Sequence, residues 1–202
     1  EIHRGNGSPA RSIGADDTSL FVIVGISSFL GAGYRVPLAA VMFVAETTGR
    51  PGAVDPTEPD TLVDAVRRLK LKHVVITSPA RDDLDDQGAG QFAACVEALR
   101  RDLPAVTVAV LVPDFQGRAD LLERVFRTRP DVFNHNLETV RRLTPRVRAR
   151  ATYDRTLSVL AAAVRAGLHA KSGVMVGLGE TREELGEAFR DLSAAGVRSL
   201  TV

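Results

Sequence analysis

Short apolar runs alternate with amphipathic stretches from His73 to Val202, and a polar cluster follows the end of nearly every run. His73 to Thr77, Val106 to Val112, Val132 to Asn134, Gly173 to Gly177 and Val197 to Val202 are predicted strands, several of them rich in β-branched residues. Between them apolar residues recur at helical spacing. Leu62, Val66 and Leu69, with Val63 beside them, mark one helix, and Phe92, Val96, Leu99 and Leu103 mark a second. Leu121, Leu122, Val125 and Phe126 mark a third; Leu157, Leu160, Val164 and Leu168 mark a fourth, closed near Gly167. Thr181 with Glu184 supplies a capping box for a fifth, ending near Gly196. Strict alternation of strand and helix implies a parallel α/β sheet with right-handed crossovers. Five strands are too few to close an eight-stranded barrel, so the expectation is a partial parallel β/α barrel or an open sheet.

The pattern changes near residue 50. Glu1 to Ser19 is polar and lacks the apolar core of a cleavable secretory signal. Leu20 to Tyr34 carries no charge over fifteen residues, and Val36 to Ala45 adds ten more. As one helix, residues 20–45 would extend roughly 39 Å at ~1.5 Å per residue, enough to cross a ~30 Å hydrocarbon core. Pro37 lacks a backbone donor, however, and Gly31, Gly33 and Arg35 crowd the same turn. An apolar helical hairpin over 20–48 fits better, either membrane-associated or buried within a soluble protein. Gly49 to Glu58 is a loop by its glycine and proline content.

With 202 residues, 45% hydrophobic and 25% charged, the chain has room for one folded domain and a short appendage. A net charge of +1 argues against nucleic acid or an anionic membrane surface as a general partner. The single cysteine, Cys95, falls inside the second helix and cannot form an internal disulfide, so a reducing compartment is expected.

Parallel sheets bind ligands beyond the carboxyl ends of their strands, which makes the polar clusters there the candidate chemistry. Arg81, Asp82, Asp83, Asp85 and Asp86 follow the first of these strands. A carboxylate at that place would hold an amino group or a ribose hydroxyl; equally, acids suit a solvated loop before a helix. Asn134, His135, Asn136 and Glu138 form the densest cluster, and Asn can read a carboxylate or an amide. No ligand spacing links His135 to His73 or His169, so no metal site is expected. Lys171 precedes a strand that ends in Gly177-Leu-Gly179-Glu180, glycines that either admit a flat ligand or form a tight turn. Arg141, Arg142, Arg146, Arg148, Arg150 and Arg155 make either a solvated basic face or a dock for an acidic protein.

Taken together, His73-Val-Val-Ile-Thr-Ser through Arg81-Asp-Asp-Leu84, Leu111-Val-Pro-Asp-Phe-Gln-Gly-Arg118, Asp131-Val-Phe-Asn-His-Asn-Leu-Glu-Thr139 and Lys171-Ser-Gly-Val-Met-Val-Gly-Leu-Gly-Glu-Thr181 closely resemble lipoyl synthase. The resemblance covers about 49–202 and implies a domain of that family truncated at both ends. It implies a radical S-adenosylmethionine enzyme that uses two 4Fe–4S clusters to insert sulfur into an octanoyl chain on a lipoyl carrier protein. A cytoplasmic location follows, with membrane association possible through 20–45. Arg81, Asp82, Asp83, Asn134, Asn136, Glu138 and Lys171 would line the S-adenosylmethionine pocket, and Gly177, Gly179 and Glu180 would shape the turn near the nucleoside. The arginine-rich stretch would face the carrier.

The chain also departs from that family. The resemblance places a C-x3-C-x2-C triplet just before Gly49-Arg-Pro51, where this sequence has Pro37, Val41 and Val44. No upstream triplet exists for the auxiliary cluster, and its serine ligand would lie beyond Val202. Iron–sulfur clusters need thiolates, so no catalytic or metal-ligating residue is assigned and the chain is expected to be inactive. Residues 20–51, notably Gly31-Ala-Gly-Tyr-Arg-Val-Pro-Leu38 and Phe43-Val-Ala-Glu-Thr-Thr-Gly-Arg-Pro51, resemble late transmembrane helices of a chloride-channel-type protein. That implies a chimera with its junction near Thr47 to Gly52. The alternatives to a lipoyl synthase-like protein are a membrane-associated channel remnant and a non-catalytic S-adenosylmethionine-binding fragment.

Overall fold

A computed structural model describes residues 40–43, 54–148 and 150–202. Six strands form one parallel sheet in sequential order: β1 (Ala40–Phe43), β2 (His73–Thr77), β3 (Thr107–Leu111), β4 (Val132–Asn134), β5 (Ala170–Gly173) and β6 (Ser199–Thr201). The helices are α1 (Glu58–Leu69), α2 (Ala89–Asp102), α3 (Ala119–Arg127), α4 (Thr144–Val147), α5 (Tyr153–Arg165) and α6 (Arg182–Ala194). A doubly wound sheet reverses its strand order and carries helices on both faces; this one does not reverse, which is the topology of a barrel segment.

The alternation of strand side chains separates two faces. Val74 pairs with Val108; Ile76 pairs with Val110, Val110 with Phe133, and Phe133 with Ala170. Val74, Ile76, Val108, Val110 and Phe133 share one core with the apolar stripes of α1, α2, α3 and α5. Ala170 joins a smaller core with Leu160 of α5 and Ala188 and Leu192 of α6. The intervening positions Thr77, Leu111, Asn134, Lys171 and Ser199 form a second row on the other face. The helix-backed row holds the sheet together; the second row is free for chemistry.

Local signals place several elements where the sequence predicts them. Thr181 Oγ1 accepts from Glu184 N at 3.3 Å and Glu184 Oε2 accepts from Thr181 N at 2.8 Å, the expected capping box of α6. Lys70, in the left-handed region at φ 53°, closes α1.

Three expectations are corrected. The strand expected at Gly173 to Gly177 lies earlier, at Ala170–Gly173, so Lys171 is within it rather than before it. Beyond it, Met175, Val176 and Leu178 are exposed at 45%, 53% and 44%. The apolar run read as helix through Ala45 contains β1, in register with β2 from Ala40↔Val74 to Phe43↔Thr77. A run that short carries no periodicity able to separate strand from helix, and the open edge of β2 decides the matter. The sheet accordingly has six strands rather than five. The polar segment 1–19 and the rest of the hairpin 20–48 lie outside the described residues. Among the described residues, no helix is long and apolar enough to cross a membrane.

Candidate functional site

Asn134 ends β4 and pairs in register with Lys171 of β5, so both occupy the row facing away from the helices. The Asn134 Oδ1 atom is buried and has no hydrogen-bond partner. Glu138 follows at φ 68°, its N–H bonded to the Gly173 carbonyl at 2.9 Å and its carbonyl accepting from Met175 N at 2.7 Å. That backbone clamp fixes the residue while no partner among the described residues reaches its carboxylate, nor the Lys171 ammonium. An acceptor, a carboxylate and an ammonium without partners stand at the ends of two neighbouring strands. Asn136 packs its Oδ1 against Gly173, where an added Cβ would lie 2.8 Å away, so the glycine makes room for the amide.

The acidic cluster after β2 is largely self-satisfied. Arg81 holds Asp83 through Nε and Nη2, both at 2.8 Å, and this pairing keeps the Asp83 carboxyl below the usual carboxylate range. Asp82 accepts from Arg150 at 2.8 Å. Asp86 accepts from the N–H groups of Gly88 and Gly90 at 3.0 and 2.9 Å, which is the helix-start reading of these acids rather than a ligand site.

Gly177 and Gly179, at φ 93° and 101°, form an exposed turn beyond β5 with open space where a Cβ would stand. The Glu180 carboxylate closes it by accepting from Gly177 N and from Leu178 N at 2.8 Å, and the Gly177 bond first among these holds its pKa down. The tight-turn alternative accounts for this carboxylate, while the glycine backbone stays open.

His135 has a structural part. It is 1% exposed, its Nδ1–H donates to the Val112 carbonyl at 2.8 Å, and its Nε2 accepts from the Thr156 hydroxyl at 3.3 Å. Burial pushes its pKa down to about 4, so the ring is neutral near pH 7. Arg148 donates to Thr156 Oγ1 at 3.0 Å and to the Asn136 carbonyl at 2.9 Å, extending the chain of bonds.

A cleft of about 620 Å³ opens between the ends of β2 and β3 and the segment before α5. Arg81 and Asp82 line it, as do Asp114, Arg148, Arg150 and Arg155, which arrive from distant parts of the sequence. Asp114 was visible in the sequence only as part of a polar cluster, and Arg155 only as part of the arginine-rich stretch. That stretch is not an unpaired basic face: Arg141 pairs with Asp154, Arg142 with Glu184, Arg150 with Asp82 and Arg155 with Asp114.

The residues present do not fit an iron–sulfur cluster. Cys95 is the one cysteine of the sequence, lies 4% exposed within the helix-backed core, and burial pushes its thiol up to about 12. A thiol in that environment is no ligand. Val41, one of the three places where the resemblance puts a cysteine, lies in β1 opposite Val75; Pro37 and Val44 fall outside the described residues. Among the described residues no three His, Cys, Asp or Glu side chains come together as a metal site. S-adenosylmethionine is a different matter, because unpartnered Asn134 Oδ1, Glu138 and Lys171 match its amino, hydroxyl and carboxylate groups in kind.

Residues 36–192 match the radical SAM superfamily, and the chain belongs to it. Within that class, it is 44% identical to a lipoyl synthase of Treponema denticola over 88% of its own length, and 46% identical to one of Bacillus subtilis over 92%. It spans about 60% of the length of these relatives, 61% and 60% respectively. Among solved structures, methylornithine synthase (PylB) shares the fold at TM-score 0.61 and 10% identity, over 93% of this chain and 60% of that one. Streptococcus suis SuiB bound to S-adenosylmethionine does so at TM-score 0.59 and 8% identity, over 95% and 47%. The chloride-channel resemblance of 20–51 gains no support. The superfamily match begins inside that stretch, at residue 36, and the lipoyl synthase alignments cover more residues than 49–202 contain.

Proposed function

We propose that this chain is the S-adenosylmethionine-binding core of a lipoyl synthase-type protein, whose whole-enzyme reaction is sulfur insertion into an octanoyl chain on a carrier protein in the cytoplasm. The observation that supports this most directly is the row of unpartnered polar groups at the ends of β4 and β5, in a radical SAM chain 44–46% identical to lipoyl synthases. S-adenosylmethionine supplies a carbon–sulfur bond that a reducing electron can break. The Glu138 carboxylate, an acceptor only, would take hydrogen bonds from ribose hydroxyls or the ligand ammonium. Lys171 would face the ligand carboxylate, and Asn134 Oδ1 would gain the donor it lacks. Gly177 and Gly179 would let the backbone approach a flat ring. Arg81, Asp82, Asp83 and Asn136 would brace the pocket around these groups, Arg81 and Asp83 as a pre-formed pair.

The chain's own residues take the chemistry no further. One buried thiol cannot supply the three thiolates a radical cluster needs, so the chain binds S-adenosylmethionine without cleaving it. Calorimetric titration of S-adenosylmethionine into the full chain tests the pocket: saturable binding is expected, weakened by Glu138→Gln and by Lys171→Met. Wild-type protein that takes up no ligand would refute the assignment. Anaerobic reconstitution with iron and sulfide tests the second half, with a colourless product expected; a brown protein retaining iron after desalting would show that thiolates are reaching a cluster after all.

A further inference from the structure

The turn beyond β5 has little of its own to hold it. Gly177 and Gly179 carry positive φ, and no atom stands within 4 Å of where either would place a Cβ. Met175, Val176 and Leu178 are exposed, so apolar burial does not fix the segment either. The Glu180 carboxylate closes the turn on itself. Among the described residues, one hydrogen bond joins residues 176–180 to a distant part of the chain, from Arg142 Nη2 to the Gly179 carbonyl at 2.9 Å.

The base of this tether is firm. Val140 and Leu143, flanking the Arg141-Arg142 pair, are buried in the smaller core with Ala188 and Leu192 of α6. Glu138, a short way upstream, is clamped to the end of β5 through its own backbone. The rest of the Arg142 fork is committed to Glu184, Nε to Oε1 at 2.6 Å and Nη2 to Oε2 at 2.9 Å. Glu184 is also the capping-box residue of α6, its Oε2 accepting from Thr181 N. One side chain therefore joins the segment that carries Glu138, the glycine turn and the first turn of α6. Arginine suits this task and lysine does not, because a planar fork can meet a carboxylate bidentately and keep an N–H for the carbonyl.

We propose that Arg142 is a positioning residue, which sets the place of the Gly177–Glu180 turn relative to Glu138 from outside the ligand pocket. This role rests on the S-adenosylmethionine reading of the site, in which Glu138 and the backbone of the turn meet the same ligand. Arg142 itself touches no ligand atom. Without it the turn samples other positions, and ligand binding must order it first.

Two measurements on the full chain test the role. Hydrogen exchange read by peptide mass spectrometry needs no ligand. Arg142→Met raises exchange over residues 175–185 about tenfold while the rest of the chain keeps its protection. The urea midpoint moves by no more than about 0.5 M, since an exposed pair adds little to global stability. In calorimetric titration with S-adenosylmethionine, Arg142→Met weakens binding about fivefold, the scale of a lost hydrogen bond to a backbone carbonyl. Arg142→Lys keeps the charge, loses the fork and stays within about twofold of Arg142→Met. Glu184→Gln keeps the capping box, removes the charge that anchors Arg142, and falls between wild type and Arg142→Met. Arg127→Met, which breaks an exposed pair with Glu123 on α3, changes affinity less than about twofold. Unchanged exchange over 175–185 in Arg142→Met overturns the proposal, as does a rise spread evenly over the chain or full recovery of affinity by Arg142→Lys. Wild-type protein that binds no S-adenosylmethionine overturns the ligand reading and the positioning role with it. Wild-type binding that Arg142→Met leaves undiminished overturns the positioning role alone.

Discussion

Phe133 and Asn134 are adjacent in β4 and do opposite work. Phe133 is fully buried, meets Phe126 edge to face with ring centroids 5.1 Å apart, and sits in the row that the helices cover. Asn134, one residue on, turns to the other face and leaves a buried amide oxygen without a partner. The pleat alone makes this division, because successive side chains point to opposite sides. The same strand therefore contributes stability on one side and unsatisfied polar groups on the other.

The largest test of this division is Phe133→Ala, which removes a packed ring from the helix-backed row. A loss of about 3–5 kcal/mol is expected in denaturant unfolding, comparable to much of the stability of a small domain. A cost under about 1 kcal/mol would mean that the helix-backed face does not hold the sheet.

Next in size is a pH effect through His135, which ties the end of β4 to β3 and α5. Its folded pKa of about 4 lies below the ordinary value of 6.5, so the unfolded chain takes up the proton first as pH falls. The His135 contribution is complete above about pH 6.5 and is lost progressively down to about pH 4, on the order of 3 kcal/mol. Urea midpoints measured across this window should fall with pH in the wild type and stay nearly level in His135→Asn. Glu184, held down to about 2 by its hydrogen bond from Arg142, keeps its contribution above the unfolded value of 4.5 and loses it as pH falls from there toward 2, so it touches only the lower edge of that window.

Cys95→Ser comes third. The thiol behaves as a small apolar group in the core, and a hydroxyl there costs about 1–3 kcal/mol unless it finds an acceptor. Iron bound after reconstitution should be the same for the variant and the wild type. A drop confined to the variant would make Cys95 a ligand and contradict the core reading.

How much of this the sequence discloses depends on how local each feature is. Strands β2 and β4 were legible as 73–77 and 132–134 because their apolar runs are bounded sharply by polar residues. The capping box of α6 was legible because it involves four consecutive residues. Strand β5 was misplaced because Val174, Met175 and Val176 are the more apolar run; pairing of Phe133 with Ala170 and of Asn134 with Lys171 sets the register instead. Strand β1 was hidden within a longer apolar run, since only its pairing with β2 distinguishes it from helix. The unpartnered row was legible as strand-end polar residues. The basic cleft was not, because its bridge joins Asp82 to Arg150, 68 residues apart.

The smallest expected change in stability is the sharpest test of the two-face comparison. Asn134→Ala removes an amide whose buried Oδ1 makes no hydrogen bond in the ligand-free chain. Removing an unsatisfied buried acceptor forfeits no bond and relieves a desolvation cost, so stability should stay level or rise by up to about 1 kcal/mol. Affinity for S-adenosylmethionine should fall about tenfold in the same variant, the worth of one hydrogen bond to a charged donor. Stability and affinity moving in opposite directions at residue 134, beside a large stability loss at 133, is the signature of a strand divided between scaffold and site. If Asn134→Ala destabilises the chain by 2 kcal/mol or more, an amount on the order of a broken buried hydrogen bond, then the amide oxygen has a partner within the fold and the pocket loses the group that best supports it.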